Sequence, residues 1–130
     1  TKELDLEERI HFFGYRSDVV ECINSFDFLV SSSLYEGLAL NVIETFMNGK
    51  TMVATDIPGI KEIVNDSNGI LVSVKDSKAL AQAIEELAGN PEKRTSLATQ
   101  AKRDYESKYS YPIFLDNYRN FYQSMRKGSK

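Results

Sequence analysis

Phe28-Leu29-Val30-Ser31-Ser32-Ser33-Leu34-Tyr35-Glu36-Gly37-Leu38-Ala39-Leu40-Asn41-Val42-Ile43-Glu44 decides the fold. An apolar run on consecutive positions gives way to a short polar loop, and the loop to a segment of helical period. Met52 to Thr55, reached after a helix stop at Gly49, repeats the consecutive apolar pattern. Strands apolar on successive residues, instead of alternate ones, are covered on both faces, as in a parallel sheet flanked by helices. Short β-rich runs alternating with helical segments are the pattern of α/β architecture. Four strands are predicted: Ile10 to Phe13, Phe28 to Ser32, Met52 to Thr55 and Gly69 to Val72.

The helices between and after these strands carry their own punctuation. Ser17 or Asp18 can cap a two-turn helix through Val19, Val20, Ile23 and Phe26. A helix from about Leu38 to Asn48 points Leu40, Ile43, Phe46 and Met47 toward a core, and Gly49 ends it in the left-handed conformation. Asp56-Ile57-Pro58-Gly59 is turn chemistry ahead of a short helix at Ile60, Ile63 and Val64. Asp76 caps a helix burying Leu80, Ala83, Ile84 and Leu87, and Asn90-Pro91 opens the next. The last helix follows Ser110-Tyr111-Pro112, with Phe114, Tyr118, Phe121, Tyr122 and Met125 along one stripe, which is expected to pack as core.

Composition narrows the function. The 130 residues carry 16 basic and 19 acidic side chains, a formal charge of −3, so no broad basic field exists to hold nucleic acid by its phosphates. Cys22 is the one cysteine and His11 the one histidine, which offers neither an internal disulfide nor a structural zinc cluster. Both read as ordinary residues of a helix and a strand. No apolar run approaches the ~20 residues of a membrane span, and a cytoplasmic setting is expected.

In parallel α/β sheets, ligands gather at the carboxyl ends of strands, where a helix start offers unpaired amides and partial positive charge to an anion. Gly37 sits where the backbone comes closest, so the amides of Gly37, Leu38 and Ala39 are candidates to meet a phosphate or sugar oxygen. Glu36 stands before the helix and Glu44 eight residues on, about 800° around a helix and hence ~80° from the same azimuth. The two carboxylates then line adjacent sides of one pocket. A carboxylate suits the paired hydroxyls of a ribose or hexose, since each oxygen can accept from a different OH. The plainer alternative makes Glu36 a helix-dipole residue and Glu44 an exposed helix former. The strand, the serines, the Glu-Gly step and the continuation Gly49 to Val64 favour the pocket.

With that continuation, the chain resembles the nucleotide-binding C-terminal domain of retaining glycosyltransferases of the GT-B fold, in particular the large family 4 group. The Glu, seven residues, Glu arrangement of that family is matched by Glu36 and Glu44. The resemblance implies a Rossmann-like parallel sheet with flanking helices, forming part of a C-terminal, donor-binding domain over residues 1–130. It implies a metal-independent transfer, with no cofactor, from a UDP- or GDP-sugar to a glycan or lipid acceptor held by an N-terminal domain outside this chain. Glu36 would serve the donor sugar or reaction centre, Glu44 the ribose, and Gly37, Leu38 and Ala39 the sugar or pyrophosphate. The loop Gly14-Tyr15-Arg16 resembles the family's base-binding turn, and Gly59 and Glu62 its Gly-x-x-Glu turn.

The chain also departs from the family. Gly37-Leu38-Ala39-Leu40-Asn41 stands where Gly-Phe-Gly-Leu-Pro is common, and the family's basic pair that neutralises the leaving diphosphate lies upstream of anything here. The family's strand order 3-2-1-4-5-6 makes the four predicted strands its third to sixth. Ile10 to Phe13 then lacks its neighbour, and the Phe28 to Ser32 edge is open to pair with Ile10 to Phe13 or with a second chain. A parent enzyme peripheral to the inner face of a membrane is implied. A non-catalytic α/β protein-interaction module and a GT-B-fold epimerase are the alternative readings.

Overall fold

A computed structural model describes residues 2–127. Three strands, β1 (Phe28–Ser31), β2 (Thr51–Thr55) and β3 (Ile70–Val72), form a parallel sheet in the order β1-β2-β3. Val30 lies opposite Val53, and Ala54 opposite Leu71. Among the described residues six α-helices accompany the sheet: α1 (Val19–Ser25), α2 (Leu40–Met47), α3 (Pro58–Lys61), α4 (Ser77–Gly89), α5 (Pro91–Asp104) and α6 (Tyr111–Lys127). A π-helical turn, Tyr105–Tyr109, joins the last two. The architecture is α/β, a parallel sheet with flanking helices, as the sequence predicts.

All five residues of β2 are buried, which explains their unbroken apolar run. Met52 and Ala54 pack on one face with Val42, Phe46, Ile60 and Ala101, while Val53 packs on the other with Ala83, Leu87 and Leu97. Some helix signals in the sequence are realised as geometry; the cap expected from Ser17 or Asp18 is not, since Asp18 precedes α1 without a side-chain cap bond and pairs with Arg16. The Asp76 carboxylate accepts from the Ala79 amide at 2.9 Å and the Asn90 side chain from the Lys93 amide at 2.9 Å, satisfying first-turn donors of α4 and α5. Gly49 takes φ +66° after α2, a conformation costly for any residue with a Cβ.

Three cations close the opposite helix ends. Lys50 donates to the carbonyls of Asn24 and Phe26 at the end of α1, Lys102 to Met47 at the end of α2, and Arg94 to Leu87 and Ala88 at the end of α4. Each satisfies carbonyls that the helix leaves unpaired and opposes its partial negative charge. Asn68, fully buried, ties the remaining elements: its side chain accepts from the Asn65 amide and donates to the Ile63 carbonyl and to Asp104 Oδ2, at 2.8–3.1 Å. Its own carbonyl accepts from Thr51 Oγ1 at the start of β2.

Leu40, expected toward the core, is 58% exposed, and the short helix expected at Ile60, Ile63 and Val64 starts instead at Pro58 and leaves Ile63 and Val64 beyond its end. Two further expectations fail. Ile10 to Phe13 forms no strand; it is irregular and exposed, with Phe12 and Phe13 showing 85% and 72% of their surface. Its alternation suits a strand, but nothing pairs with it, and β1 keeps its outer edge open among the described residues. His11, expected in that strand, instead rests near the Phe13 ring. The second failure is α6, whose stripe does not enter the core: Tyr111, Phe114, Tyr118, Phe121, Tyr122 and Met125 are all half or more exposed. Among the described residues the helix meets the domain chiefly through the turn Tyr105–Tyr109, and its aromatic stripe faces outward. No helix among the described residues is long and apolar enough to cross a membrane.

Candidate functional site

The loop after β1 lies at the carboxyl edge of the sheet and is held by hydroxyl groups. Ser33 Oγ stands 3.5 Å from Ser31 Oγ and donates to Glu36 Oε1 at 2.8 Å. Thr55, at the end of β2, donates its hydroxyl to the Ser33 carbonyl. No backbone–backbone hydrogen bond involves Ser32 to Gly37 among the described residues. One further contact fixes the loop from behind. A Cβ on Gly59 in α3 would lie 2.7 Å from the Glu36 carbonyl oxygen and 2.9 Å from that of Gly37, closer than real Cβ contacts come. Gly59 thus lets the start of α3 back directly onto the Glu36-Gly37 peptide.

The helix after the loop starts later than its periodicity suggests. The Leu40 amide turns back to the Leu38 carbonyl at 2.9 Å, and α2 begins at Leu40. Glu36 is therefore four residues outside the helix, and the 80° azimuth expected between Glu36 and Glu44 has no meaning here. Glu44 is the fifth residue of α2, one turn in, and half-buried. Its carboxylate makes no hydrogen bond or ion pair among the described residues. Gly37 and Leu38 are exposed, and their amides donate to no acceptor among the described residues, whereas Ala39 is buried. Asn41, where the family has proline, accepts from the Val42 amide at 2.9 Å and so supplies a local start for α2.

Beside the loop, a pocket of about 210 Å³ opens at the carboxyl ends of all three strands, walled by Ser32, Thr55, Ser73, Lys75 and Ser77 among others. Ser33 and Thr55, which support this edge, carry little signal in the sequence beyond hydroxylic residues at strand ends, whereas Gly59 stands in the Gly-x-x-Glu turn that the sequence already marks. Gly14-Tyr15-Arg16 stands apart. Gly14 has φ +65°, Tyr15 is 96% exposed, and Arg16 pairs with Asp18, the residue ahead of α1. That hydrogen bond and the opposite charge raise the Arg16 pKa and lower that of Asp18. No hydrogen bond or ion pair among the described residues links this turn to Glu36 or Glu44. No group of three or more His, Cys, Asp or Glu among them could hold a metal ion.

The family described as glycosyl transferases group 1 matches residues 1–104. The chain belongs to that family. EpsD of Bacillus subtilis (strain 168), named a glycosyltransferase without a stated sugar or acceptor, is 36% identical over 103 residues, which are 78% of this chain and 27% of EpsD. The crystal structure of Anabaena Alr3699/HepE in complex with UDP superposes with a TM-score of 0.90 at 24% identity, covering 95% of this chain and 34% of HepE. The C-terminal domain of the group 1 family protein LpcC from Francisella tularensis gives 0.74 at 25% identity, over 85% of this chain and 58% of that domain. This group 1 chain thus spans about a third or less of the full-length relatives it resembles. Its fold is that of GT-B glycosyltransferase domains.

Proposed function

We propose that the chain is the donor-binding part of a retaining, metal-independent glycosyltransferase that moves a sugar from a UDP- or GDP-sugar to a glycan or lipid acceptor. The observation that carries this reading is the Glu36 loop. A carboxylate oriented by Ser33, next to the uncommitted amides of Gly37 and Leu38, stands at the sheet edge where α/β domains bind nucleotides. Amides at that position suit a diphosphate, and a carboxylate suits sugar hydroxyls. Glu44, one turn into α2 and unpaired among the described residues, is assigned the ribose hydroxyls. Gly14, Tyr15 and Arg16 are assigned the base side, and Ala39 supports the loop from within the core. HepE, solved with UDP, and the isolated C-terminal domain of LpcC support placing the chain on the donor side of its parent.

In the reaction the bond between the anomeric carbon and the diphosphate oxygen breaks. The acceptor hydroxyl oxygen bonds to the same face of that carbon, and its proton leaves with the diphosphate. Glu36 stabilises positive charge on the sugar, while the Gly37 and Leu38 amides share the charge of the departing group. The acceptor belongs to the rest of the parent enzyme, which works in the cytoplasm at the inner face of a membrane.

Titration calorimetry of UDP and GDP with the full-length parent tests the assignment. Glu44→Ala removes charge-assisted hydrogen bonds worth about 1.5–3 kcal/mol, so nucleotide affinity falls at least tenfold. Glu36→Gln leaves UDP affinity nearly unchanged and removes sugar transfer. Absence of nucleotide binding in the parent, or unaltered affinity in Glu44→Ala, overturns the reading in favour of a non-catalytic module. Conversion of the donor sugar with no coupled product would instead indicate an epimerase.

A further inference from the structure

Thr55 ends β2 with a hydroxyl that its strand does not call for. Every residue of β2 is buried, and Thr55 shows 4% of its surface. Valine has nearly the same shape and would fill this place without a polar atom, whereas a buried hydroxyl destabilises unless it is hydrogen-bonded. The bond that Thr55 makes lies outside the strand ladder: it donates to the carbonyl of Ser33, 22 residues away in sequence. Ser33 in turn donates its own hydroxyl to Glu36 Oε1 at 2.8 Å. One residue thus has its backbone held by the sheet and its side chain on the carboxylate. Glu36 Oε2 has no partner among the described residues and stays available. Four residues beyond Thr55, the Cβ that Gly59 lacks leaves room for the Glu36 and Gly37 carbonyls. The segment from Thr55 to Gly59 therefore seats the loop at three carbonyl groups, and every group in that seat belongs to this chain.

We propose that Thr55 is a positioning residue for Glu36: its bond to Ser33 fixes the point from which the Ser33 hydroxyl reaches the carboxylate, and so the direction in which Oε2 faces a sugar. This rests on the assignment of Glu36 to the donor sugar. Stabilising charge that develops on the anomeric carbon depends on where the carboxylate stands, and a displacement of about 1 Å can cost about a hundredfold in rate. Nucleotide binding is less exposed to it, because the Gly37 peptide is seated by Gly59 and Glu44 belongs to α2, so neither is held through Ser33. Thr51 supplies the internal comparison. It opens the same strand, is fully buried, and donates its hydroxyl to the Asn68 carbonyl at 2.8 Å, at the opposite end of the sheet from the site.

Nucleotide release by the full-length parent, from whichever UDP- or GDP-sugar the wild type consumes, tests this. Thr55→Val is expected to lower kcat about tenfold to a hundredfold, with the donor KM and UDP affinity within about twofold of wild type. Thr55→Ser, which keeps the hydroxyl, restores most of kcat. Thr55→Ala lowers it as the valine variant does, so the result does not hang on the folding of one variant. Thr51→Val lowers the melting temperature and leaves kcat unchanged. In a Ser33→Ala background Thr55→Val has no further effect on kcat, since both act through the Ser33 hydroxyl. Wild-type kcat in Thr55→Val beside an inactive Glu36→Gln overturns the proposal and leaves the donor-site reading standing. So does an equal loss of kcat in Thr51→Val, which would make the effect one of general stability, and so does full additivity with Ser33→Ala. A parent that consumes neither class of donor, or a Glu36→Gln variant that still transfers sugar, overturns the donor-site reading and this proposal with it.

Discussion

Gly59→Ala separates two opposite expectations for one methyl group. In an unobstructed helix, alanine in place of glycine stabilises by up to about 1 kcal/mol. Gly59 is not unobstructed: the new Cβ would stand 2.7 and 2.9 Å from two backbone carbonyl oxygens, and ordinary contact begins near 3.4 Å. Neither oxygen belongs to a side chain that can swing away, so the Glu36-Gly37 peptide must retreat by about half an ångström or α3 must lift. Overpacking of this kind costs about 1–3 kcal/mol, which outweighs the propensity gain. The net expectation is a loss of ~1–2 kcal/mol, or a melting temperature about 3–6 °C lower for a chain of this size. Gly89, at the end of α4, is the internal control, because a methyl group added there would meet nothing within 4 Å. Gly89→Ala is expected to be neutral or to stabilise by up to ~1 kcal/mol. Thermal unfolding followed by circular dichroism reads both. In the full-length parent, Gly59→Ala also weakens UDP binding, because the displaced peptide carries the Gly37 amide. If Gly59→Ala proves as stable as Gly89→Ala, the claim that α3 backs onto the site loop is wrong.

Three further outcomes follow from the packing. Asn68→Ala removes three side-chain hydrogen bonds and leaves Asp104 buried without one of its donors, so stability falls by about 3 kcal/mol and the melting temperature by about 10 °C. A double-mutant cycle with Asp104→Ala should show coupling above about 1 kcal/mol, and simple additivity in urea unfolding would refute the link. Burial raises the Asp104 pKa, but hydrogen bonds from Lys108 and Asn68 more than offset it and hold the carboxyl below its ordinary range. A depressed folded pKa stabilises above the unfolded value of about 3.9 and loses that contribution as pH falls through the folded value, so Asp104→Asn flattens the acid limb of stability against pH. Gly49→Ala forces a Cβ into φ +66° and costs about 1–2 kcal/mol by chemical denaturation, with no change near Glu36.

The chemistry legible in the sequence is the chemistry that acts within a few residues. Asp76 and Asn90-Pro91 mark helix starts because their caps reach only three residues on, and Gly49 marks an end because its φ is a local demand. The unbroken apolar run of β2 reads correctly because burial on both faces leaves no alternation. Ile10 to Phe13 has a strand's composition, but a strand exists only with a neighbour, and composition does not encode one. The α6 stripe shows a similar limit: periodicity identifies the apolar face and says nothing about what covers it. Helix α2 starts two residues later than its period suggests, because Leu38 and Ala39 fit that period while the turn at Leu38 to Leu40 is set by backbone geometry. At the site, Glu36 and Glu44 stand out by type and spacing. The contacts that fix Glu36 come from Ser33, Thr55 and Gly59, and the last two belong to a different stretch of chain.

A loop secured by hydroxyls has a different thermodynamic character from one secured by a peptide ladder. Ser31, Ser33 and Thr55 can each rotate an O–H toward a ligand oxygen and let go of the loop without opening any strand pair. Beside them β2, buried along its whole length, stays rigid. Amide hydrogen exchange should therefore change by orders of magnitude over a few residues, fast in Ser32 to Leu38 and slow in Met52 to Ala54. On the proposed function, a ligand meeting this edge would reshape the loop and leave the strands as they are.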